Sequence, residues 1–444
     1  MGGKRVRTKW TWLALVAVLA LLAAACGDDE ATTTAAPTTT TTAAPTTTAA
    51  PTTTAAPTTT TTEAETTTTA APEPLVIGMI LVGPMNDHGW SQAHYEAGLY
   101  LQDALGAGLF VLDKVNTADR PETTVDQVAA QMIAEGADLI FATSDDMKDG
   151  IELAAEQYPD VPMIWSSGDS AWPEAGEAYR PDLANLGNTM GRMEYGKMMA
   201  GCAAALTSQT GQLGYLGPLI NAETRRLASS VFLGARYCWE NFRGNDPADL
   251  GFRVDWIGFW FNIPGFTLDP TQVANDFFDS GIDVVISGID TTEGLVVAGQ
   301  RAAAGEAVWA IPYDFHGACD EAPDICLGVP YFNWGPAYKR IAESVIDGTF
   351  AAEFEWFGPD WADINNPETS GIGFVSGPGL SADNAALLDQ FIAGLADGSI
   401  NLFTGPLNYQ DGSAFLAEGE AATDVQIWFM SQLLEGMVGA SVPS

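Results

Sequence analysis

Carboxylate, amide and aromatic side chains recur in this sequence at points where predicted β-strands end. A cleft with aromatic walls and a few carboxylates would hold a flat, uncharged molecule, because rings stack on its faces and carboxylates accept hydrogen bonds from its N–H or O–H groups. The same carboxylates would repel phosphate groups. The candidate ligand-binding residues are Asn86, Asp87, Trp90, His94, Ser144, Trp260, Phe261, Asp290, Asp314, Phe332 and Trp334.

Each of these residues also has an ordinary structural interpretation. A tryptophan at a strand end usually belongs to the core or its rim, and an aspartate there usually caps the following helix. His94, on the first predicted helix, is more readily a polar residue of the cleft wall than a metal ligand. A binding cleft is favoured because the same composition recurs at strand ends in both halves of the chain.

The elements that must position these side chains alternate along the chain. From residue 75 onward, short apolar runs such as 75–83 and 110–115 alternate with helical patterns such as 91–105. This alternation predicts an α/β fold with parallel sheets and helices on both faces. About 370 residues suit two such sheets better than one. Ligands of open α/β sheets bind beyond the carboxyl ends of the strands, where the candidate residues lie.

The charge balance excludes some classes of partner. The chain has 57 Asp and Glu against 18 Lys and Arg, for a formal net charge of −39. Binding to nucleic acid or to an anionic membrane surface needs clustered basic residues, so neither is expected. A large net charge favours a soluble monomer.

Catalytic and cofactor motifs are missing from the sequence pattern. The glycine-containing stretch 211–217 lacks the lysine of a phosphate-binding loop, and no G-x-S-x-G turn presents a nucleophile. We therefore expect no enzyme activity, no catalytic residues and no cofactor. A metal site is not expected either, because the three histidines are scattered and the cysteines are not arranged as C-x-x-C pairs.

Four cysteines follow the N-terminal region. Cys319 and Cys326 are seven residues apart around a proline-containing loop, and we expect them to form a disulfide. Cys202 and Cys238 lie in successive predicted helices around one strand and are a second candidate pair. Four cysteines allow three pairings, and a zinc site is the alternative use of these side chains.

The N-terminus has the pattern of an export signal. Residues 1–9 are basic, residues 10–25 are apolar, and Ala23, Ala24 and Ala25 precede Cys26. This resembles a bacterial lipobox, although Leu22 stands one place before its usual position, so we expect a signal peptide at 1–25 and lipidation of Cys26. An ordinary signal peptide is the alternative. Residues 26–74, rich in Thr, Ala and Pro, predict a disordered tether.

Several motifs in order resemble one known family. They are GPMNDHGWSQAH at 83–94, GRMEYGK at 191–197, NWGPAYKR at 333–340 with DGT at 347–349, and FTGP at 403–406 with DG at 411–412. They resemble the basic-membrane-protein (Bmp) family of lipoproteins, which are the substrate-binding components of ABC importers for purine nucleosides and related compounds. The resemblance covers about residues 75–440. The motifs at 83–94 and 333–340 look most like the branch for free purine bases.

The resemblance implies a type I periplasmic-binding fold, with two Rossmann-like lobes joined by three crossovers and a hinge. It implies ligand contacts for Asp87, Trp90, Trp260 and Asp314. Phe332 stands where nucleoside binders carry a lysine for the ribose, which favours a ligand the size of a base. The acidity of this chain departs from the family name.

The predicted organisation has two lobes and a C-terminal segment. Lobe 1 comprises residues 75–184 and about 325–350, lobe 2 comprises residues 185–324 and about 351–400, and residues 401–444 pack on both lobes. The expected function is an extracytoplasmic, lipid-anchored protein on the cell membrane that delivers a purine base or nucleoside to the permease and ATPase of an importer. A ligand-sensing receptor and a glycoside or nucleoside hydrolase that uses Asp87 and Asp314 are the alternatives.

Overall fold

The computed structural model of the protein describes residues 73–443. The predicted signal peptide, Cys26 and all but the last two residues of the predicted tether lie outside this range. No helix within it is long and apolar enough to cross a bilayer.

Fifteen strands are present in this range, in agreement with the predicted alternation. In chain order they are β1 (Val76–Ile80), β2 (Gly108–Leu112), β3 (Leu139–Ala142), β4 (Met163–Ser166), β5 (Leu186–Gly191), β6 (Gln212–Gly217), β7 (Gly251–Trp256), β8 (Val284–Ser287), β9 (Trp309–Ile311), β10 (Gly328–Phe332), β11 (Phe354–Phe357), β12 (Ile372–Ser376), β13 (Leu407–Asn408), β14 (Ala414–Leu416) and β15 (Met437–Val438).

Ten α-helices separate these strands within residues 73–443. They are α1 (Trp90–Leu105), α2 (Val125–Ala134), α3 (Lys148–Gln157), α4 (Met193–Thr207), α5 (Ala222–Asn241), α6 (Pro270–Asp279), α7 (Glu293–Ala303), α8 (Gly335–Ile346), α9 (Ala382–Ala396) and α10 (Asp424–Trp428).

The strands form two parallel sheets, one in each lobe. The first has the order β11-β5-β4-β3-β1-β2 and the second β15-β7-β6-β8-β9. Every pairing within them is parallel. The small pairs β10-β12 and β13-β14 are antiparallel. Central strands such as β3, β4 and β8 are short apolar runs that are buried on both faces, as helix-covered parallel sheets require.

The chain crosses between the lobes three times, as the predicted fold requires. It leaves the first sheet after β5 and enters α4, which packs on α5 of the second lobe. It returns between β10 and α8, which packs on α1, and leaves again between β11 and β12. The two lobes are therefore covalently joined through three short segments.

Three strands differ from the predicted lobe boundaries. β5 and β11 pair with each other in the first sheet, although residues 185–324 and 351–400 were assigned to lobe 2. β10 pairs with β12, and Tyr331 forms a bridge with Asp314 after β9, although 325–350 was assigned to lobe 1. The apolar pattern of a strand shows that it is buried but not which strand it lies beside, so one sequence cannot fix these boundaries.

Both candidate disulfides are present. Cys202 and Cys238 join α4 to α5, with 5.2 Å between their Cα atoms, and Cys319 pairs with Cys326. The α4–α5 contact also needs a glycine, since a Cβ on Gly201 would lie 1.9 Å from the backbone oxygen of Val231. The two helices therefore pack backbone to backbone beside the disulfide.

The C-terminal segment contacts the cores of both lobes. Trp428 belongs to the first-lobe core, and its Nε1 donates a hydrogen bond to Asp169 Oδ2 at 3.0 Å. Met430, Leu433 and Met437 belong to the second-lobe core. This segment connects the lobes in addition to the three crossovers.

Candidate functional site

A cavity lies between the lobes at the carboxyl ends of both sheets. Four of the lining side chains are aromatic and three are carboxylates. The lining residues are Trp90, Ser144, Asp145, Ser167, Tyr215, Glu223, Thr224, Leu227, Trp260, Gly288, Asp290 and Tyr313.

The first-lobe wall is fixed by hydrogen bonds to strand ends. Trp90 opens α1 and its Nε1 donates to the backbone oxygen of Thr143 at 2.5 Å. Trp165 Nε1 donates to the backbone oxygen of Ser144 at 2.8 Å, so the end of β4 supports the end of β3. The ring of Trp90 also contacts the edge of the Phe332 ring, with 5.2 Å between ring centroids. These contacts place the Trp90 indole before any ligand arrives.

The second-lobe wall retains polar groups without protein partners. Trp260 is buried, its backbone oxygen accepts a hydrogen bond from the N–H of Asp290 at 2.9 Å, and its Nε1 has no hydrogen-bond partner within residues 73–443. Tyr215 lies in β6, and Tyr313 follows β9. A buried indole N–H without a partner is costly, so this wall suits a ligand that offers it an acceptor.

Carboxylates are concentrated in and behind the cavity. Burial raises the pKa of Asp290 well above its ordinary value, and the negative charge of Asp314 raises it further. Burial raises the pKa of Glu223 to about 7, against the opposing effect of Arg226. Burial also raises the pKa of Asp145, with a further contribution from Asp169. The lining therefore presents acceptors whose negative charge is poorly solvated, and a ligand that donates hydrogen bonds would relieve this cost.

A buried lysine lies behind the second-lobe wall. Lys197 on α4 is fully buried, donates from Nζ to the backbone oxygen of Ser287 at 2.8 Å, and lies 3.0 Å from the centroid of the Tyr313 ring. Burial lowers the pKa of Lys197 well below its ordinary value, and the nearby charge of Asp314 opposes this shift. Asp314 is fully buried and neither of its carboxylate oxygens has a hydrogen-bond partner in the described part of the chain.

Comparison with known proteins assigns the family. Residues 75–243 match the family model of the PnrA-like ABC transporter substrate-binding proteins, the Bmp family. A purine-binding protein of Brucella abortus (strain 2308) is 30% identical over 378 residues, which cover 83% of this chain and 94% of that protein. The chain belongs to the Bmp family. It is a solute-binding protein of the ABC transporter type.

The chain is also similar to a second protein in sequence and to a solved structure in fold. A putative ABC transporter glucose-binding protein of Haloferax volcanii is 27% identical over 367 residues, which cover 82% of this chain and 80% of that protein. A solute-binding protein from Aeropyrum pernix K1 of known crystal structure superimposes with a TM-score of 0.58 at 14% identity, over 76% of this chain and 93% of that chain. The architecture of this Bmp protein is the type I periplasmic-binding fold with two lobes.

Four of the eleven candidate residues line the cavity of this Bmp protein, namely Trp90, Ser144, Trp260 and Asp290. Asn86 is exposed in the loop after β1. Asp87 accepts hydrogen bonds from the backbone N–H groups of Gly89, Ser91 and Gln92, so its carboxylate caps α1. Asp87, one of the two acids that a hydrolase would use, is thus already hydrogen-bonded to the N-terminus of α1.

The other candidates lie next to the cavity without lining it. His94, Phe332 and Trp334 form a buried aromatic cluster behind Trp90, in which the rings of His94 and Trp334 stack at 4.2 Å. Burial lowers the pKa of His94 well below its ordinary value, so its ring is neutral. Phe261 packs against the first-lobe core, and Asp314 lies behind Tyr313.

Sequence reasoning missed several lining residues of this Bmp protein. Tyr215 lies inside β6, where the apolar pattern predicts a core residue. Glu223 lies in the first turn of α5, where acidic residues are common because they stabilise a helix N-terminus. Tyr313 directly precedes the candidate Asp314, and Ser167 directly follows β4. The strand-end rule that selected Ser144 would have found the last two.

The side chains that could bind a metal ion are scattered in the structure. No group of three or more His, Cys, Asp or Glu side chains among residues 73–443 is arranged to hold one. All four cysteines outside the N-terminal region are in disulfides, so the alternative of a zinc site built from them is excluded.

Proposed function

We propose that this protein captures a purine base or nucleoside in the cavity between its lobes and delivers it to an ABC importer. The observation that carries the proposal is the lining itself, which combines Trp90, Trp260, Tyr215 and Tyr313 with buried carboxylates. Base-on-aromatic stacking contributes about 1–3 kcal/mol per base. A planar heterocycle can stack on these rings, whereas an aliphatic solute cannot.

The polarity of the cavity lining narrows the class of ligand. The acceptors Asp145, Glu223 and Asp290 call for a ligand with several N–H or O–H donors, and the free indole N–H of Trp260 calls for an acceptor. Purine bases offer both. A nucleotide would bring a phosphate next to these carboxylates and be repelled.

A sugar is the second candidate. The Haloferax relative is named as a putative glucose-binding protein, and aromatic rings and carboxylates also suit the faces and hydroxyl groups of a hexose. The purine is preferred because the relative with the higher identity is named a purine-binding protein and because aromatic side chains supply four lining residues.

Calorimetry distinguishes the two ligands. The purified chain is titrated with adenine, guanine, hypoxanthine, adenosine and glucose, and we expect at least one purine or purine nucleoside to bind with a Kd in the micromolar range or below. Trp260→Ala should weaken this binding, whereas Trp361→Ala, which changes a tryptophan outside the cavity, should not. If only glucose produces heat of binding, the ligand is a sugar and not a purine. If no purine or nucleoside produces heat of binding, the proposal is refuted.

Attachment to the membrane is the second part of the proposal. We infer that Cys26 is lipidated and holds a monomeric receptor at the outer face of the cell membrane, where substrate-binding proteins of ABC importers act. The support is the sequence pattern of residues 1–26 together with the family. Labelled palmitate should enter the full-length chain in a bacterial host and not the Cys26→Ala variant. Equal labelling of both would contradict the anchor.

A further inference from the structure

A second cavity lies away from the one at the carboxyl ends of the sheets. Its volume is about 260 Å³, and none of its lining residues lines the first cavity. Charged and aromatic side chains meet in its wall. Those that decide what it could bind are Arg192, Glu194, Tyr195, Trp356, Phe403 and Asp424.

Three separate stretches of the chain build this second cavity. Arg192 and Glu194 lie at the start of α4, where the chain crosses from the first sheet into the second lobe. Trp356 lies in β11, which precedes the third crossover, and Asp424 begins α10 of the C-terminal segment. A molecule in the second cavity would therefore contact segments that join the two lobes.

Glu194 contributes a buried oxygen that no protein group satisfies. Its side chain is only 6% exposed, and its Oε1 accepts a hydrogen bond from Arg226 Nε at 2.6 Å. Its Oε2 is buried and has no hydrogen-bond partner within residues 73–443. A buried carboxylate oxygen without a donor is costly, and a ligand that donates a hydrogen bond to it removes this cost.

The basic groups at the second cavity are already paired with carboxylates. Arg192 donates from Nη1 and Nη2 to the two carboxylate oxygens of Asp424, at 2.9 and 2.6 Å. Its Nε donates to the backbone oxygen of Trp356 at 3.1 Å. Arg226 is paired with Glu194. Because both guanidinium groups have anionic partners, the lining favours a ligand that donates hydrogen bonds over an anion.

Much of the remaining lining of the second cavity is apolar. Tyr195 and Phe403 contribute aromatic rings, and Leu402 contributes an aliphatic side chain. Such surface accommodates the body of a small molecule, while a few polar groups fix its orientation. Asn401 and Asp424 are exposed, so the cavity is accessible from solvent on their side.

We propose that the second cavity is a further ligand-binding site, which takes a small amine whose ammonium group donates to Glu194 Oε2 and whose apolar body lies against the aromatic and aliphatic lining. An ammonium is favoured over a neutral donor because a hydrogen bond between charged groups is roughly twice as strong as one between neutral groups. The net charge of −39 also attracts cations to the protein. The site does not depend on which solute binds between the lobes.

Calorimetry with phenethylamine tests the site. The purified chain is titrated at about pH 7, where this amine carries its ammonium charge. The comparison ligands have the same ring with another polar end, namely 2-phenylethanol and 3-phenylpropionate. We expect phenethylamine to bind with a Kd below about 1 mM, the alcohol to bind at least about fivefold more weakly, and the carboxylate to give no heat of binding.

Two variants of the second cavity should weaken phenethylamine binding at least about tenfold. Glu194→Gln keeps an oxygen for Arg226 and replaces the free carboxylate oxygen by an amide nitrogen, which cannot accept a hydrogen bond. Ala422→Phe places a ring in the cavity wall and leaves the Glu194–Arg226 pair intact, so it decides the question if Glu194→Gln does not fold. Thermal unfolding shows whether each variant is folded.

Two control variants should keep the affinity for phenethylamine. Trp260→Ala alters the cavity between the lobes, whose carboxylates are the competing place for an amine. Glu343→Gln makes the same chemical change as Glu194→Gln in an exposed ion pair with Lys339. The site is refuted if the wild-type chain does not bind phenethylamine or if Ala422→Phe keeps its affinity. It is also refuted if Trp260→Ala loses as much affinity as Ala422→Phe. No purine enters these titrations, so their outcome is independent of the proposed function.

Discussion

The tryptophan and the nearby aspartate of each lobe differ in how many of their hydrogen-bonding atoms already have protein partners. In the first lobe, Trp90 donates its indole N–H to Thr143, and Asp87 accepts three backbone hydrogen bonds at the start of α1. In the second lobe, the indole N–H of Trp260 and both carboxylate oxygens of Asp314 have no partner within residues 73–443. The two indoles that line the cavity thus differ: that of Trp90 is fixed by its own hydrogen bond, whereas the N–H of Trp260 has no protein partner.

This difference indicates which lobe recognises the polar groups of the ligand. Side chains that are already hydrogen-bonded offer shape and apolar surface, whereas buried groups without partners gain most when a ligand satisfies them. We therefore expect the first lobe to provide stacking and the second to provide polar recognition.

The largest effect is expected for the acids. Asp290→Ala should weaken binding of the preferred purine about 10- to 100-fold, because it removes a buried hydrogen-bonding carboxyl group from the cavity. Asp87→Ala should leave affinity nearly unchanged and lower the free energy of unfolding by about 0.5–2 kcal/mol, since it removes a helix cap. Calorimetry and denaturant unfolding measure the two effects. An equal loss of affinity in both variants would remove the distinction between the walls.

A smaller effect is expected for the tryptophans. Trp260→Phe keeps an aromatic ring and removes the N–H, so affinity should fall roughly fivefold, equivalent to about 1 kcal/mol. Trp90→Phe removes an N–H that is already bonded to Thr143, so its cost should appear mainly in the stability of the first lobe. Titration of both variants with the same purine sharpens the comparison. A larger loss of affinity for Trp90→Phe would reverse the assignment of the polar wall.

The smallest effect is expected for the pH dependence of stability. Burial raises the pKa of Glu223 to about 7 in the folded protein, above its ordinary value, so the folded state is the better proton acceptor. Its contribution to stability is therefore greatest at low pH and is lost as the pH rises toward 7. Glu223→Gln should raise the Tm at pH 8 by a few degrees and change it little at pH 4.5. A Tm difference independent of pH would show that Glu223 does not titrate in this range.

The alternation of strands and helices made the α/β architecture predictable, and the loop motifs made the family recognisable. Trp90, Ser144, Trp260 and Asp290 were found because they follow strands and parallel strands end at one edge. Strand neighbours were not predictable, because β11 joins β5 from 163 residues away along the chain, counted between Gly191 and Phe354. No local pattern records such a pairing.

Side chains that act from inside regular elements were also missed. The apolar pattern of α4 does not indicate whether Lys197 faces solvent or the core. In the structure Lys197 is fully buried against Tyr313. Its burial follows from the packing of α4 against the second sheet, which is a tertiary contact. The part of the site carried by loops was therefore easier to predict than the part carried by helices and strand interiors.

The two-residue strand β15 has a consequence for self-association. β15 pairs with β7 and occupies the outer edge of the second sheet, where β7 would otherwise expose free backbone N–H and C=O groups. Met437 of this strand is buried in the second-lobe core, and its backbone oxygen accepts a hydrogen bond from Gln410 Nε2. Detachment of this two-residue strand would leave the edge of β7 free to pair with a strand from a second molecule.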